Sequence, residues 1–359
     1  MLGIANVHVR GGQRRLFLFV KRSYMYEYLF VRLTMSVAIS VAPSFTSLWD
    51  MVFAPPPPPA SQLRGPPAES LAIFAALGAA LLALVAAQTT AKTTDTWKPH
   101  WLPPSGEKRA YEVWVLKYSV VWMGAFAVII AGQLYEQFDA LGYFVVCGGL
   151  AAPLLLQPLF FPPRAAGHAL RAQLWIAIFG FIGNYWYTHY FYCVLRAKYT
   201  MPAWRLNDVP IAMYAGTHFY FTSYHVLANL PIRRVRSTFA PGTARTCLEL
   251  GLVLAMSYAT AFMETLTISN FPYYDFENRS MAYTVGSAFY GLYFVVSFPI
   301  YFALDEPDAA LPSPGAALVE VALSSLGAGM AVLLLLDAAR LAVVGVPLTI
   351  TGTLWEVTG

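Results

Sequence analysis

The chain has 359 residues, of which 58% are hydrophobic and only 12% charged, with a formal net charge of +4. Soluble domains carry roughly 25% charge, so this composition points to a chain embedded in a lipid bilayer. The scattered positive charge forms no basic stripe, which makes nucleic acid a poor partner. Cys147, Cys193 and Cys247 lie far apart in apolar surroundings, as neither a disulfide framework nor a zinc spacing.

Residues 1–68 differ from the rest. Arg10, Arg14, Arg15, Lys21, Arg22 and Arg32 are balanced only by Glu27 and Asp50, and a proline run, Pro55–Pro59, follows. Such a tract packs no core and acts as a stiff spacer. This stretch reads as a targeting segment or an unstructured extension. The run 69–90, ESLAIFAALGAALLALVAAQTT, is long enough to span a bilayer, as an extra helix or as part of a removed leader. From residue 110 the pattern steadies. Apolar runs recur at about 111–134, 141–161, 172–195, 209–230, 246–268, 282–302 and 318–346. Hydrocarbon of about 30 Å takes roughly 20 helical residues, and only helices satisfy their own backbone there in an unclosed chain. The expected fold is an all-α, polytopic membrane bundle of about seven helices over 110–346, with a possible eighth at 69–90 and no internal repeat.

Loop charge sets an orientation. Arg164 and Arg171 follow the second run, and Arg233, Arg234, Arg236 and Arg245 follow the fourth, so both loops are expected in the cytosol. The loop with Arg196, Lys198 and Arg205 then falls on the far side against the rule. Asn278-Arg279-Ser280, on that same side, is an N-glycosylation sequon.

Polar groups inside spans are costly and turn toward the bundle interior. At 100° per residue, Tyr214, His218, Thr222, His225 and Asn229 share an arc of about 80°. Ser257, Thr260, Glu264 and Thr267 share another of about 80°, and Tyr185, His189, Tyr192 and Arg196 one of about 60°. Each seam has a bland reading beside the chemical one. An intramembrane histidine often serves only as a helix–helix hydrogen-bonding partner. Glu264 could be paired structurally, the aromatics near 181–192 and 271–274 could form an interfacial belt, and Asp337 with Arg340 reads as a structural i,i+3 pair. No H-x-x-H, H-E-x-x-H, G-x-G-x-x-G, P-loop or G-x-S-x-G motif is present, so metal, nucleotide, redox and serine-hydrolase chemistry are disfavoured and no cofactor is expected. Proton chemistry in a dry, aromatic-walled cavity remains. A carboxyl taken out of water favours its neutral form and has a proton to give. Aromatic faces stabilise a cation without trapping it, and exclusion of water prevents its hydration.

Three long strings carry a resemblance: GNYWYTHYFYCVLRAKYTMPAWRLNDVP (183–210), THFYFTSYHVLANLPIRRVR (217–236) and LAMSYATAFMETLTISNFPYYDFENRSMAYTVGSAFYGLYFVVSFPIYFALDE (254–306). With them, roughly residues 110–340 resemble the cycloeucalenol cycloisomerases, the cyclopropyl sterol isomerases of plants and algae. The strings depart from the expected pattern at Asp208, where Asn is expected, and at Asp275, where Glu is. The resemblance implies opening of the 9β,19-cyclopropane ring of cycloeucalenol to give obtusifoliol, in a multi-pass protein of the endoplasmic reticulum membrane. A proton would add at C19, positive charge would develop at C9, and loss of the C8 hydrogen would leave a Δ8 sterol. The partners would be the sterol and the bilayer; protein partners are not specified. Glu264 is then the expected donor or part of its relay. His218 or His225 is expected to accept the C8 proton or to hold Glu264, with His189 third. Tyr185, Trp186, Tyr190 and Phe271 are expected to line the cation, and Asn184, Tyr273 and Asp275 to bind the sterol 3-hydroxyl. The rivals are a proton-coupled transporter and a lipid-binding seven-helix membrane protein.

Overall fold

The computed structural model describes residues 68–91, 98–160, 163–268, 271, 273–277, 281–306, 317–350 and 357–358. The extension 1–67 and the sequon at 278–280 lie outside the described residues. The bundle is built from α1 (Ala68–Ala86), α2 (Gly106–Ala131), α3 (Ala140–Phe160), α4 (Pro163–Ile182), α5 (Thr188–Leu195), α6 (Ile211–Thr238), α7 (Thr243–Ile268), α8 (Ser287–Ala303) and α9 (Leu318–Ala339). Among the described residues, six helical segments are long and apolar enough to cross a membrane. The run α4–α5 and helix α6 carry buried polar groups instead: His168, Gln173, Asn184 and His189 on one, His218, His225, Asn229 and Arg233 on the other. These helices line the interior, so their composition is less apolar than that of lipid-facing neighbours.

The 69–90 run folds as helix α1. Phe74 packs edge-on against Tyr258 and Phe262 of α7, with ring centroids at 5.3 and 5.0 Å. The chain after α1 is tied to the α6 terminus by Ala91 N–H donating to Thr238 O at 2.9 Å and Ala240 N–H donating to Thr89 O at 3.1 Å.

Among the described residues, three widened π-turns interrupt the helices, at Gly183–Tyr187 between α4 and α5, at Ala282–Gly286 before α8, and at Arg340–Val344 after α9. Each inserts a residue and loosens local backbone bonding, which is why such turns collect at functional sites. Two are patched alike. Thr188 Oγ1 donates to Gly183 O and Ser287 Oγ donates to Ala282 O, both at 3.4 Å and both five residues back.

The two ends of the bundle differ. At one end lie the starts of α2 and α4 and the ends of α6 and α8, joined by a charged knot. Arg233 donates to Glu112 at 2.8 and 2.9 Å and to Glu306 at 2.9 and 3.0 Å. Lys108 donates to Glu306 at 2.7 Å and to the carbonyls of Phe302 and Leu304. Arg233 is 2% exposed and Glu112 not at all. Arg233, Arg234 and Arg236 thus lie inside α6 and Arg245 inside α7, rather than in a loop; the connection is only 239–242.

The other end carries short β pieces: β1 (Lys198–Tyr199), β2 (Arg205–Leu206), β3 (Val209–Pro210), β4 (Tyr274–Asp275) and β5 (Val357–Thr358). β2 and β3 form a hairpin whose two turn residues, Asn207 (φ 52°) and Asp208 (φ 59°), are both left-handed. Asn and Asp tolerate that region best among non-glycine residues, so Asp in place of Asn at 208 suits the turn. Two arginines of this end are engaged locally. Arg205 donates to Tyr199 O and Asp208 O, and exposed Arg196 pairs with Glu277 at 3.2 Å. Arg340 pairs with Asp337 at 2.6 Å, as their spacing suggests.

Candidate active site

Glu264 sits one turn from the end of α7, and its side chain leans back toward the helix N-terminus, into the bundle. Tyr290 of α8 donates its hydroxyl hydrogen to Glu264 Oε2 at 2.7 Å. The Tyr224 hydroxyl of α6 is also within hydrogen-bonding reach of the carboxyl. No Lys, Arg or His pairs with Glu264 among the described residues. The wall is aromatic. Tyr290 meets Tyr293 at 4.8 Å, Phe294 at 5.1 Å and Phe191 at 5.6 Å between ring centroids. Over it lies a two-residue ribbon in which Tyr199 of β1 opposes Tyr274 of β4, with ring centroids 4.5 Å apart. Tyr199, Tyr220 and Tyr274 stand within electrostatic reach of the Glu264 carboxyl. A carboxyl faced by neutral hydroxyls and ring faces can exchange a proton without breaking an ion pair.

The polar seams do turn inward, but toward different neighbours. Nε2 of His218 is 2.6 Å from Gln173 Oε1, and Gln173 Nε2 donates to the Tyr111 hydroxyl at 3.0 Å. With Gln173 Oε1 accepting, Nε2 carries the hydrogen and Nδ1 keeps its lone pair. His225 is engaged at both nitrogens. Nδ1 lies 2.7 Å from Phe221 O, a carbonyl that only accepts, so Nε2 takes the Ser297 hydroxyl hydrogen at 2.8 Å. The Phe294 ring of that wall lies 6.1 Å from His225 and 5.9 Å from Tyr224. His189 is fully buried with neither ring nitrogen hydrogen-bonded among the described residues; Tyr192 lies against it at 5.5 Å. None of the three histidines bonds to Glu264 among the described residues.

The other expected residues divide. Tyr185 and Tyr190 are buried, whereas Trp186 is 39% exposed on the outer surface. Asn184 is committed to its own helices: its Nδ2 donates to Gly180 O at 2.9 Å and its Oδ1 accepts from Thr217 at 3.3 Å. Phe271 and Tyr273 pack on Tyr135 at 5.0 and 6.1 Å, forming a rim cluster. Asp275 is exposed opposite Lys198. Sequence reasoning does not single out the tyrosines that contact Glu264, although Tyr220 and Tyr224 at i,i+4 on α6 are a legible pair.

The chain is 39% identical over 251 residues to the cycloeucalenol cycloisomerase of Arabidopsis thaliana, an alignment that covers 67% of this chain and 88% of that enzyme. The chain belongs to the cycloeucalenol cycloisomerase family. No protein-family model matches it, and no solved structure does. The helical membrane bundle is therefore the architecture of a cycloeucalenol cycloisomerase family member.

Proposed function

We propose that the chain opens the 9β,19-cyclopropane ring of cycloeucalenol to give the Δ8 sterol obtusifoliol, without a cofactor, in the endoplasmic reticulum membrane. The single observation that carries the chemistry is Glu264, half-buried, held by the Tyr290 hydroxyl and paired with no cation among the described residues. Its O–H bond breaks and the strained C9–C19 bond supplies the electron pair that takes the proton, so C19 becomes a methyl group. The positive charge left at C9 faces the electron-rich rings of the wall. The C8–H bond then breaks, its electrons form the C8–C9 double bond, and the proton passes to a base. Relief of ring strain drives the sequence, and the apolar wall keeps water from trapping the cation.

The base we assign is His218, whose Nδ1 has no hydrogen-bond partner among the described residues. His225 has both nitrogens engaged, and His189 is second choice. His218→Ala is expected to slow conversion about 10²–10⁴-fold, while His225→Ala acts mainly through packing. Tyr190 and Tyr185 join the cation wall in this reading.

The deciding experiment is expression in a host lacking the isomerase, followed by sterol analysis. Accumulated 9,19-cyclopropyl sterols should disappear and Δ8 sterols replace them. Unchanged cyclopropyl sterols, with the protein present in the membrane, would leave the transporter or lipid-binding alternatives.

A further inference from the structure

The substrate of the proposed reaction has a single polar group, an alcohol at C3. At ordinary bond lengths, that oxygen lies only about 5 Å from C19 across one six-membered ring. With a hydrogen bond of about 2.8 Å at one end and a proton transfer over about 3 Å at the other, whatever holds the alcohol must lie within roughly 10 Å of the proton donor. It must also be dry on its inner side and able both to donate and to accept, because an alcohol taken from water costs free energy unless it is hydrogen-bonded.

Few groups meet those conditions. The Asn184 amide is spent on Gly180 and Thr217. Asp275 is exposed, and Tyr273 packs on the Tyr135 rim. Tyr199 and Tyr274 are different. They arrive from two separate loops and oppose each other in the β1–β4 ribbon, their rings 4.5 Å apart and their hydroxyls near enough to interact. When one hydroxyl donates to the other, the pair keeps one O–H donor and spare lone pairs, the complement of an alcohol. Both interact electrostatically with the Glu264 carboxyl, which sets them on the donor's side of the bundle. The pair is also one side chain from the surface. The Tyr192 ring lies 6.2 Å from Tyr199 and forms one wall of an open groove of about 310 Å³ that is lined further by Cys193, Arg196, Val346, Pro347 and Thr349.

We infer that the paired hydroxyls of Tyr199 and Tyr274 bind the substrate's alcohol and so set the depth at which its cyclopropane meets Glu264. The inference rests on the isomerase reading above. It moves the alcohol from Asn184, Tyr273 and Asp275 to the ribbon. It also explains why the ribbon exists. Two strands of two residues contribute little stability alone, but they fix two hydroxyls from distant parts of the chain at one point.

The test compares cycloeucalenol with its 3-deoxy analogue in membranes carrying the full-length protein. The unvaried protein should turn over the alcohol with a kcat/KM at least tenfold above the deoxy compound, about what one or two hydrogen bonds supply. Tyr199→Phe and Tyr274→Phe should each remove most of that preference by slowing the alcohol alone. The readout is a ratio of two substrates in one preparation, so loss of folded protein cancels. Equal slowing of both compounds, or no preference in the unvaried protein, overturns this assignment while leaving the isomerase intact. An unvaried protein that converts neither compound overturns the isomerase reading, and the alcohol site with it.

Discussion

Two carboxylate sites sit at opposite ends of this bundle, and they are solved in opposite ways. In the knot, Glu112 and Glu306 are matched by Arg233 and Lys108, charge for charge, with carbonyls of Trp101, Phe302 and Leu304 taking the remaining donors. Near the ribbon, Glu264 has tyrosine hydroxyls and rings and no cation among the described residues. Burial beside cations fixes a carboxylate as a carboxylate, because protonating it would strand the cation. Burial beside neutral hydroxyls leaves the proton free to come and go. The first arrangement fastens helices; the second can do acid–base work.

The largest effect should come from breaking the knot. Arg233→Met leaves Glu112 and Glu306 without their guanidinium and is expected to cost about 3–5 kcal/mol. A lower yield of folded protein and a lower melting temperature in detergent would show it, and adding Glu112→Gln should restore part of the loss. A variant as stable as the parent would mean that the knot is not a fastening. Next in size is acid sensitivity. Burial by itself would raise the Glu306 carboxyl, but its hydrogen bonds from Arg233 and the charges of Lys108 and Arg233 outweigh this and hold it below the ordinary value. A lowered folded-state value gives stability that is complete above about pH 4.3, the unfolded value, and is lost as pH falls through the folded one. Melting temperature should therefore fall below about pH 4, and Glu306→Gln should flatten that slope. A smaller change is expected at the catalytic end. Tyr290→Phe removes one donor to Glu264, worth about 1 kcal/mol, and should slow conversion about five- to tenfold with little change in melting. The smallest is Thr188→Val, which strips the hydroxyl patch from the Gly183–Tyr187 turn and should cost about 0.5–1.5 kcal/mol. A melting shift with unchanged turnover there would separate the turn's support from the chemistry.

The spans are legible in the sequence because apolar runs of bilayer length leave few alternatives, and α1 forms an eighth helix for the same reason. The inward face of α6 is legible too: Thr222, His225 and Asn229 are buried, as their shared arc requires. What each seam faces is not, because an arc says that a side chain points inward and nothing about which helix waits there. His225 meets Ser297, Tyr224 meets Glu264, and both lie on one helix. Arg233 reads as a loop charge because arginines near a span end normally mark water, whereas this one is wrapped by two acids far away in sequence. Tyr224 and Tyr290 pass as apolar filler, since tyrosine is equally at home in a wall, a belt or a hydrogen bond. The π-turns escape altogether, because one extra residue in a turn leaves no mark on hydrophobic periodicity.

The proposed chemistry turns on the proton held at Glu264. Glu264→Gln keeps the side chain's size and still accepts from Tyr290, but has no acidic hydrogen. Conversion of cycloeucalenol per amount of folded protein in membranes should fall by about 10²–10⁴-fold, with the melting temperature near that of the parent. Conversion at the parental rate would contradict the assignment of Glu264 as the acid.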